Sequence, residues 1–271
     1  MEKGTLVCDA CELAKHTRST YPSIGLHSSE PFMLIHSDVW GPCSTTFVSG
    51  FKWFVTFIDC YSRMTWIYML KHKNEVLRCF KDFYKLVTNQ FNAKIQILRT
   101  DNGTEYVNNE FISFISDQGI IHQTTCPGTP SQNGVAERKN RHLLEVARSL
   151  MFQMNVPKYL WSEAVMTAAY LINRMPSRVL GMRSPAELLW EQREFKVPPR
   201  VFGCVCFVHD HRPSVGKLDP QAVKCVFVGY ASTQKGYKCW DPIRRRLFVS
   251  MDVLLCSQKG RRLWVVSGSS L

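Results

Sequence analysis

Asp38, Asp101 and Glu137 are the residues of this sequence whose type and setting could do chemistry. Asp38 interrupts the apolar run FMLIHSDVW, Asp101 follows a short apolar stretch ending in Arg99-Thr100, and Glu137 opens a long helical pattern. An acid inside an apolar strand is costly unless it is paired or binds a metal. Strand ends and helix starts that meet at one edge of a sheet are where α/β folds place sites. Three such carboxylates could hold two Mg²⁺ or Mn²⁺ ions, hard cations that prefer oxygen ligands. Two ions about 3.5–4 Å apart polarise a phosphodiester and stabilise both the attacking and the leaving oxygen. The same residues also admit a structural reading, in which strand-end aspartates cap turns and Glu137 favours a helix N-terminus. Asp59, at the end of Ile58-Asp59, is read as a turn residue of that kind.

The elements that would position these acids follow from the pattern of apolar residues. Residues 32–40, 53–59 and 65–70 are rich in β-branched and aromatic side chains and predict strands. In residues 74–91, Val76, Phe80, Phe83, Tyr84 and Val87 keep the rhythm of a helix. A strand over 95–98, a short helix over 111–116 and a strand over 120–125 come next. Residues 127–134 (PGTPSQNG) must be a loop, and helices follow over 135–154 and 159–173. The order predicts an α/β layer with a mixed sheet. After Pro198-Pro199 come four short alternating stretches, 201–209, 223–230, 236–240 and 246–253, which predict a small β-rich C-terminal unit.

On the long helix, at 100° per residue, Arg141 lies about 40° and Arg148 about 20° from Glu137. This row could lead a phosphate backbone toward the acids, or be two solvated arginines. Lys139 projects well away from it. Net charge is +12, and its distribution is uneven: residues 1–176 carry 18 Lys/Arg against 15 Asp/Glu, residues 177–271 carry 16 against 7. The basic excess of the C-terminal third, including Arg244, Arg245 and Arg246, suits a polyanionic partner. No run of about 18 apolar residues is present, so no membrane helix is expected, and the start of the sequence lacks a secretory signal. An intracellular location follows. The 11 cysteines are odd in number and scattered, and most are expected to be small buried hydrophobes.

The sets His36-Ser37-Asp38-Val39-Trp40-Gly41-Pro42, Thr100-Asp101-Asn102-Gly103-Thr104-Glu105-Tyr106 and Pro130-Ser131-Gln132-Asn133-Gly134-Val135-Ala136-Glu137-Arg138 together resemble retroelement integrases. Thirty-five residues separate Asp101 from Glu137, the spacing of that family's Asp-Asp-Glu triad. Trp161-Ser162-Glu163-Ala164, Val201-Phe202-Gly203-Cys204, Lys217-Leu218-Asp219 and Phe227-Val228-Gly229-Tyr230 narrow the resemblance to the Copia type. It covers roughly residues 8–253.

The resemblance implies a ribonuclease H-like fold and a polynucleotidyl transferase with endonuclease activity, part of a Gag-Pol-type polyprotein. Its triad would be Asp38, Asp101 and Glu137, binding two Mg²⁺ or Mn²⁺ ions. Water would trim the element's DNA ends, and each new 3′-hydroxyl would then attack target DNA. Asn102 and Gly103 would shape the turn behind Asp101, and residues 127–134 would be the segment near the scissile DNA. The implied partners are element and target DNA and further copies of the chain. The implied places are a cytoplasmic particle and then the nucleus. Cys8-x-x-Cys11 is half of a tetrahedral zinc site; the family's upstream His pair does not precede it, so Zn²⁺ is not expected. The expected organisation is a truncated zinc-module half and linker (1–21), a catalytic core (22–192), a β-rich basic region (193–255) and a disordered tail (256–271). Two other readings stay open: an inactive nucleic-acid-binding remnant, and a ribonuclease H-type nuclease.

Overall fold

The computed structural model describes residues 28–45, 49–125, 133–190, 197–209, 218–232 and 234–255. Cys8, Cys11, residues 127–132 and the tail from Cys256 lie outside them. The first half builds a five-stranded sheet from β1 (Leu34–Trp40), β2 (Trp53–Asp59), β3 (Thr65–Leu70), β4 (Ile97–Thr100) and β5 (Ile121–Thr124), in the order β3-β2-β1-β4-β5. β1–β2 and β2–β3 pair antiparallel, while β1–β4 and β4–β5 pair parallel. This is the mixed sheet expected from the strand and helix order.

Helix α1 (Val76–Phe91) buries Val76, Cys79, Phe80, Phe83 and Val87, one stripe at helical spacing. Phe57 from β2 stacks on Phe83 with ring centroids 4.8 Å apart. Asn92, in the left-handed conformation at φ 50°, ends the helix. Helix α2 (Asn109–Asp117) starts where the Asn108 side chain accepts the Phe111 N–H at 2.9 Å. The long helix α3 (Gly134–Gln153) buries Ala136, Leu143, Ala147 and Met151.

Helix α4 (Trp161–Ile172) is different. Nine of its twelve residues are buried, so one covering layer cannot suffice. Its second cover is the C-terminal unit, a sheet of β6 (Val205–His209), β7 (Ala222–Tyr230), β8 (Tyr237–Asp241), β9 (Arg246–Ser250) and β10 (Val253–Leu255), ordered β10-β6-β7-β8-β9. Phe54 of the first sheet, Leu143, Trp161, Ala164 and Ala168 of the helices, and Phe202, Val226, Val228 and Trp240 of the second unit form one continuous core. The Thr167 hydroxyl donates to the Val228 carbonyl at 3.2 Å, and Lys238 pairs with Glu163 at 2.9 Å.

Two motif glycines mark this seam. Gly203 has φ +85°, and a Cβ there would lie 2.6 Å from Val156 and 2.7 Å from Met154. Gly229 has φ +140°, and a Cβ there would lie 2.5 Å from the Thr167 hydroxyl. Both positions need the backbone freedom and the missing side chain at once. A small helix α5 (Pro185–Leu189), opened by a Ser184–Glu187 capping box, was not foreseen. The stretch 246–253 is not one strand: Met251 and Asp252 break it, and β10 crosses to pair with β6. Among the described residues the cysteines form no disulfide, and all but Cys43 are buried. No helix there is long and apolar enough to cross a membrane.

Candidate active site

The parallel register of β1 and β4 sets His36 opposite Arg99. Two residues further along each chain come Asp38 and Asp101. Adjacent strands lie about 4.8 Å apart, and residues in register lean to the same side. The two carboxylates are therefore neighbours by construction. Asp38 sits where β1 emerges from the core: His36 and Ser37 are buried and Asp38 is half-buried. Glu137 comes to them on the first turn of α3, whose start is fastened to β1 by the Asn133 side-chain amide donating to the Ser37 carbonyl at 3.0 Å.

Each acid of the strand pair is oriented. The Asn140 side-chain N–H donates to Asp38 Oδ2 at 2.9 Å, and the Thr56 hydroxyl donates to Asn140 Oδ1 at 3.1 Å. Asp101 Oδ1 accepts the Gly103 N–H at 3.0 Å, and the Asn102 amide donates to the Thr125 carbonyl at 2.7 Å. The turn behind Asp101 is braced further by Glu105, paired with Lys73 at 3.1 Å, and by Tyr106, whose hydroxyl is 2.7 Å from Ser37 Oγ.

The electrostatics follow from this crowding. Burial raises the Asp38 pKa to about 6, with the negative charges of Asp101 and Glu137 pushing the same way and the Asn140 hydrogen bond opposing them. His36 is held neutral, its pKa lowered to about 3 by burial and by Arg99, Arg63 and Arg138. The donor set is all hard oxygen, and its charges repel one another. Those properties suit divalent cations. As the side chains stand, however, no three His, Cys, Asp or Glu among the described residues converge into a finished ligand cage.

The remaining expected residues fall in three places. Arg141 and Arg148 are exposed on α3, and Arg148 folds back so that its Nε–H donates to the Leu144 carbonyl at 3.2 Å. Arg244, Arg245 and Arg246 are exposed at the β8–β9 turn, on the second sheet. Arg244 is tied to Asp241 at 3.4 Å, and Arg246 lies over the Phe248 ring. Asp59 is a turn residue, fully buried, accepting N–H bonds from Phe32 at 2.8 Å and Ser62 at 2.9 Å. Asn140 was missed by the sequence reading. A signal existed, since it occupies the apolar stripe between Ala136 and Leu143, where a buried amide needs partners.

The mixed α/β sheet, with Asp38 on β1 and Asp101 just past the end of β4, has the layout of an integrase catalytic core. Residues 28–130 match the integrase core domain family, and residues 204–263 match the retroviral polymerase SH3-like domain. The chain is 42% identical over 255 residues to the retrovirus-related Pol polyprotein from transposon TNT 1-94 of Nicotiana tabacum, covering 93% of this chain and 19% of that protein. It is 36% identical over 248 residues to the corresponding polyprotein from transposon RE2 of Arabidopsis thaliana, covering 92% of this chain and 17% of that one. The chain thus spans about a fifth of the length of these relatives. A superposition on the simian T-cell lymphotropic virus intasome, in complex with a PP2A regulatory subunit, gives a TM-score of 0.49 at 15% identity. It covers 84% of this chain and 80% of that chain, too distant to assign a role to any residue. Residues 28–130 and 204–263 thus match an integrase core domain and a retroviral polymerase SH3-like domain, in a chain similar to one segment of plant retrotransposon Pol polyproteins.

Proposed function

We propose that this chain cuts and joins DNA, as the integrase segment of a Copia-type polyprotein acting on the element's ends and on target DNA. The observation that carries the reading is the side-by-side placement of Asp38 and Asp101 with Glu137 close enough to raise the Asp38 pKa. Asp38, Asp101 and Glu137 would hold two Mg²⁺ or Mn²⁺ ions. Bound there, these would supply Lewis acidity at the scissile phosphodiester and lower the pKa of the attacking hydroxyl or water.

The chain's own residues do the rest. Asn140, itself oriented by Thr56, fixes the rotamer of the Asp38 carboxylate. The Gly103 N–H fixes that of Asp101. The link from Asn133 to Ser37 keeps the first turn of α3, and hence Glu137, against the strand ends. Tyr106 and Glu105 brace the loop behind Asp101 from the buried side. The basic C-terminal unit would add phosphate contacts for the DNA held at the acids, and further copies of the chain would bring two element ends together in the nucleus.

The test is a strand-transfer assay with a duplex carrying the element's terminal sequence and a supercoiled target. Joined products should form with Mg²⁺ or Mn²⁺ and not with EDTA. Cleavage of an RNA–DNA hybrid without joining would favour a ribonuclease. DNA binding without either reaction would favour an inactive remnant.

A second measurement concerns where DNA affinity resides. Each neutralised phosphate contributes about 0.9 to the slope of log affinity against log salt. Arg245 and Arg246 have no carboxylate partner among the described residues, while Arg244 is held by Asp241. Changing all three to Ala should flatten the slope by about 1.8 if Arg244 stays with Asp241, and by at most about 2.7. An unchanged slope in a fluorescence-anisotropy salt titration would move the DNA path to Arg141 and Arg148.

A further inference from the structure

On the side of α3 away from Glu137 lies a recess of about 550 Å³ that the integration chemistry does not use. Four basic residues reach it: Arg138, Lys139 and His142 from α3, and Arg63 from the β2–β3 turn. No Asp or Glu is among its described lining residues. Arg63 sits at φ +59°, a conformation seldom adopted by residues other than glycine, and its buried Nε–H has no hydrogen-bond partner among the described residues. Among the described residues the Lys139 ammonium reaches only the Arg63 carbonyl, at 3.5 Å. The nearest acid on the adjoining segment, Glu187, is engaged by the Ser184 N–H at 2.7 Å. Among the described residues these basic groups have no carboxylate partner.

The walls are a different material. Val135, Val146, Ile172, Leu180 and Pro185 make them aliphatic. At the mouth, Met175 and Val179 are 58% and 66% exposed and continue the apolar surface. Contiguous exposed apolar surface rimmed by charge marks an interaction site, and methionines adapt to varied partners. No Phe, Tyr, Trp, Asn or Gln lines the recess, so a nucleobase could meet only the His142 imidazole and the guanidinium groups, and would leave the aliphatic walls unmatched. Phosphates alone would leave its aliphatic walls unfilled.

We propose that this recess docks an acidic peptide segment of a partner protein. An apolar anchor side chain fills the aliphatic pocket, and flanking carboxylates meet Arg63, Arg138, Lys139 and His142. The occupant is set by complementarity: anionic groups for the basic side chains, one large hydrophobic group for the walls. The site is independent of the metal chemistry and lies on the opposite face of α3.

The test uses the full 271-residue chain and fluorescein-labelled peptides Glu-Asp-Xaa-Asp-Glu, with Xaa as Leu, Phe, Trp or Ser. At least one apolar version should bind tenfold more tightly than the Ser version by anisotropy. Val179→Asp, in the exposed apolar wall, and His142→Glu, on the exposed rim, should each weaken that binding at least tenfold with an unchanged melting temperature. Affinity for a single-stranded oligonucleotide should change less than twofold in Val179→Asp. No apolar preference, or peptide binding that ignores Val179→Asp, overturns the proposal. Oligonucleotide binding that falls tenfold with Val179→Asp also overturns it and makes the recess a nucleic-acid seat.

Discussion

Asp38→Asn, Asp101→Asn and Glu137→Gln should each lower strand transfer by a thousandfold or more while leaving the protein folded. A neutral amide is a poor ligand for a hard cation, and the loss of one metal's charge stabilisation is worth several kcal/mol, each ~1.4 kcal/mol being tenfold in rate. Asp59→Asn should leave a metal-competent site, because Asp59 serves the β2–β3 turn and not the acid cluster.

The Asp38 variant carries a second expectation, of opposite sign to its effect on activity. Its carboxyl pKa is raised from 3.8 to about 6 in the folded chain. The native state therefore holds this proton more tightly than the unfolded state does. The ionised form penalises folding, and the penalty grows as pH climbs from 3.8 through 6 and is complete above that. Discounted for the partial exposure of Asp38, the penalty is on the order of 1–3 kcal/mol. In EDTA, Asp38→Asn should melt several degrees above wild type at pH 8, and the gap should close near pH 4. Added Mg²⁺ should stabilise wild type and not the variant. A variant less stable than wild type at pH 8 without divalent ions would show that Asp38 is a structural acid, like Asp59.

What could be read from the sequence depended on how local the cause was. The run LIHSDVW showed a buried strand with an acid in it because the alternation and the cost of that acid are properties of seven consecutive residues. The stripe of α1 was visible for the same reason. Asn140 was less visible, since its partner Asp38 is 102 residues away and only the folded register brings them together. The cationic recess was invisible: its lining comes from α3, the end of α4, the segment after it and the β2–β3 turn, and none of these is unusual alone. The break at Met251 and Asp252 was hidden because residues 246–255 alternate well enough to pass for a single strand, and only pairing with β6 divides them. The all-round burial of α4 could be seen as an apolar helix, but not what covers it. The motifs Val201-Phe202-Gly203-Cys204 and Phe227-Val228-Gly229-Tyr230 held that answer. Their glycines stand where the second sheet meets Met154, Val156 and Thr167.

That shared core leads to the second large effect: a chain ending at residue 200 should fail to fold into a stable core. Such a chain loses Phe202, Val226, Val228 and Trp240, all at most 2% exposed, from the cluster around α4. Burying each large apolar side chain is worth about 1.5–3 kcal/mol, so these four represent roughly 6–12 kcal/mol. A whole domain is typically stable by only about 5–15 kcal/mol. The truncation also bares Ala164 and Ala168 and leaves Glu163, only 12% exposed in its side chain, without Lys238. The intact chain should therefore unfold in one cooperative transition, with the same midpoint by near-ultraviolet circular dichroism and by tryptophan fluorescence. Trp240→Ala alone should cost about 3–5 kcal/mol and move both readings together. It should also weaken the active site's thermal tolerance, because Trp240 shares a core with α3 and α4. Two separate transitions, or a chain ending at residue 200 that melts within a few degrees of the full one, would show that the two sheets are independent bodies. The C-terminal arginines could then be removed by deletion; on a shared core they can be probed only by substitution, because deleting their sheet removes the support for α4, which packs against α3, the helix that carries Glu137.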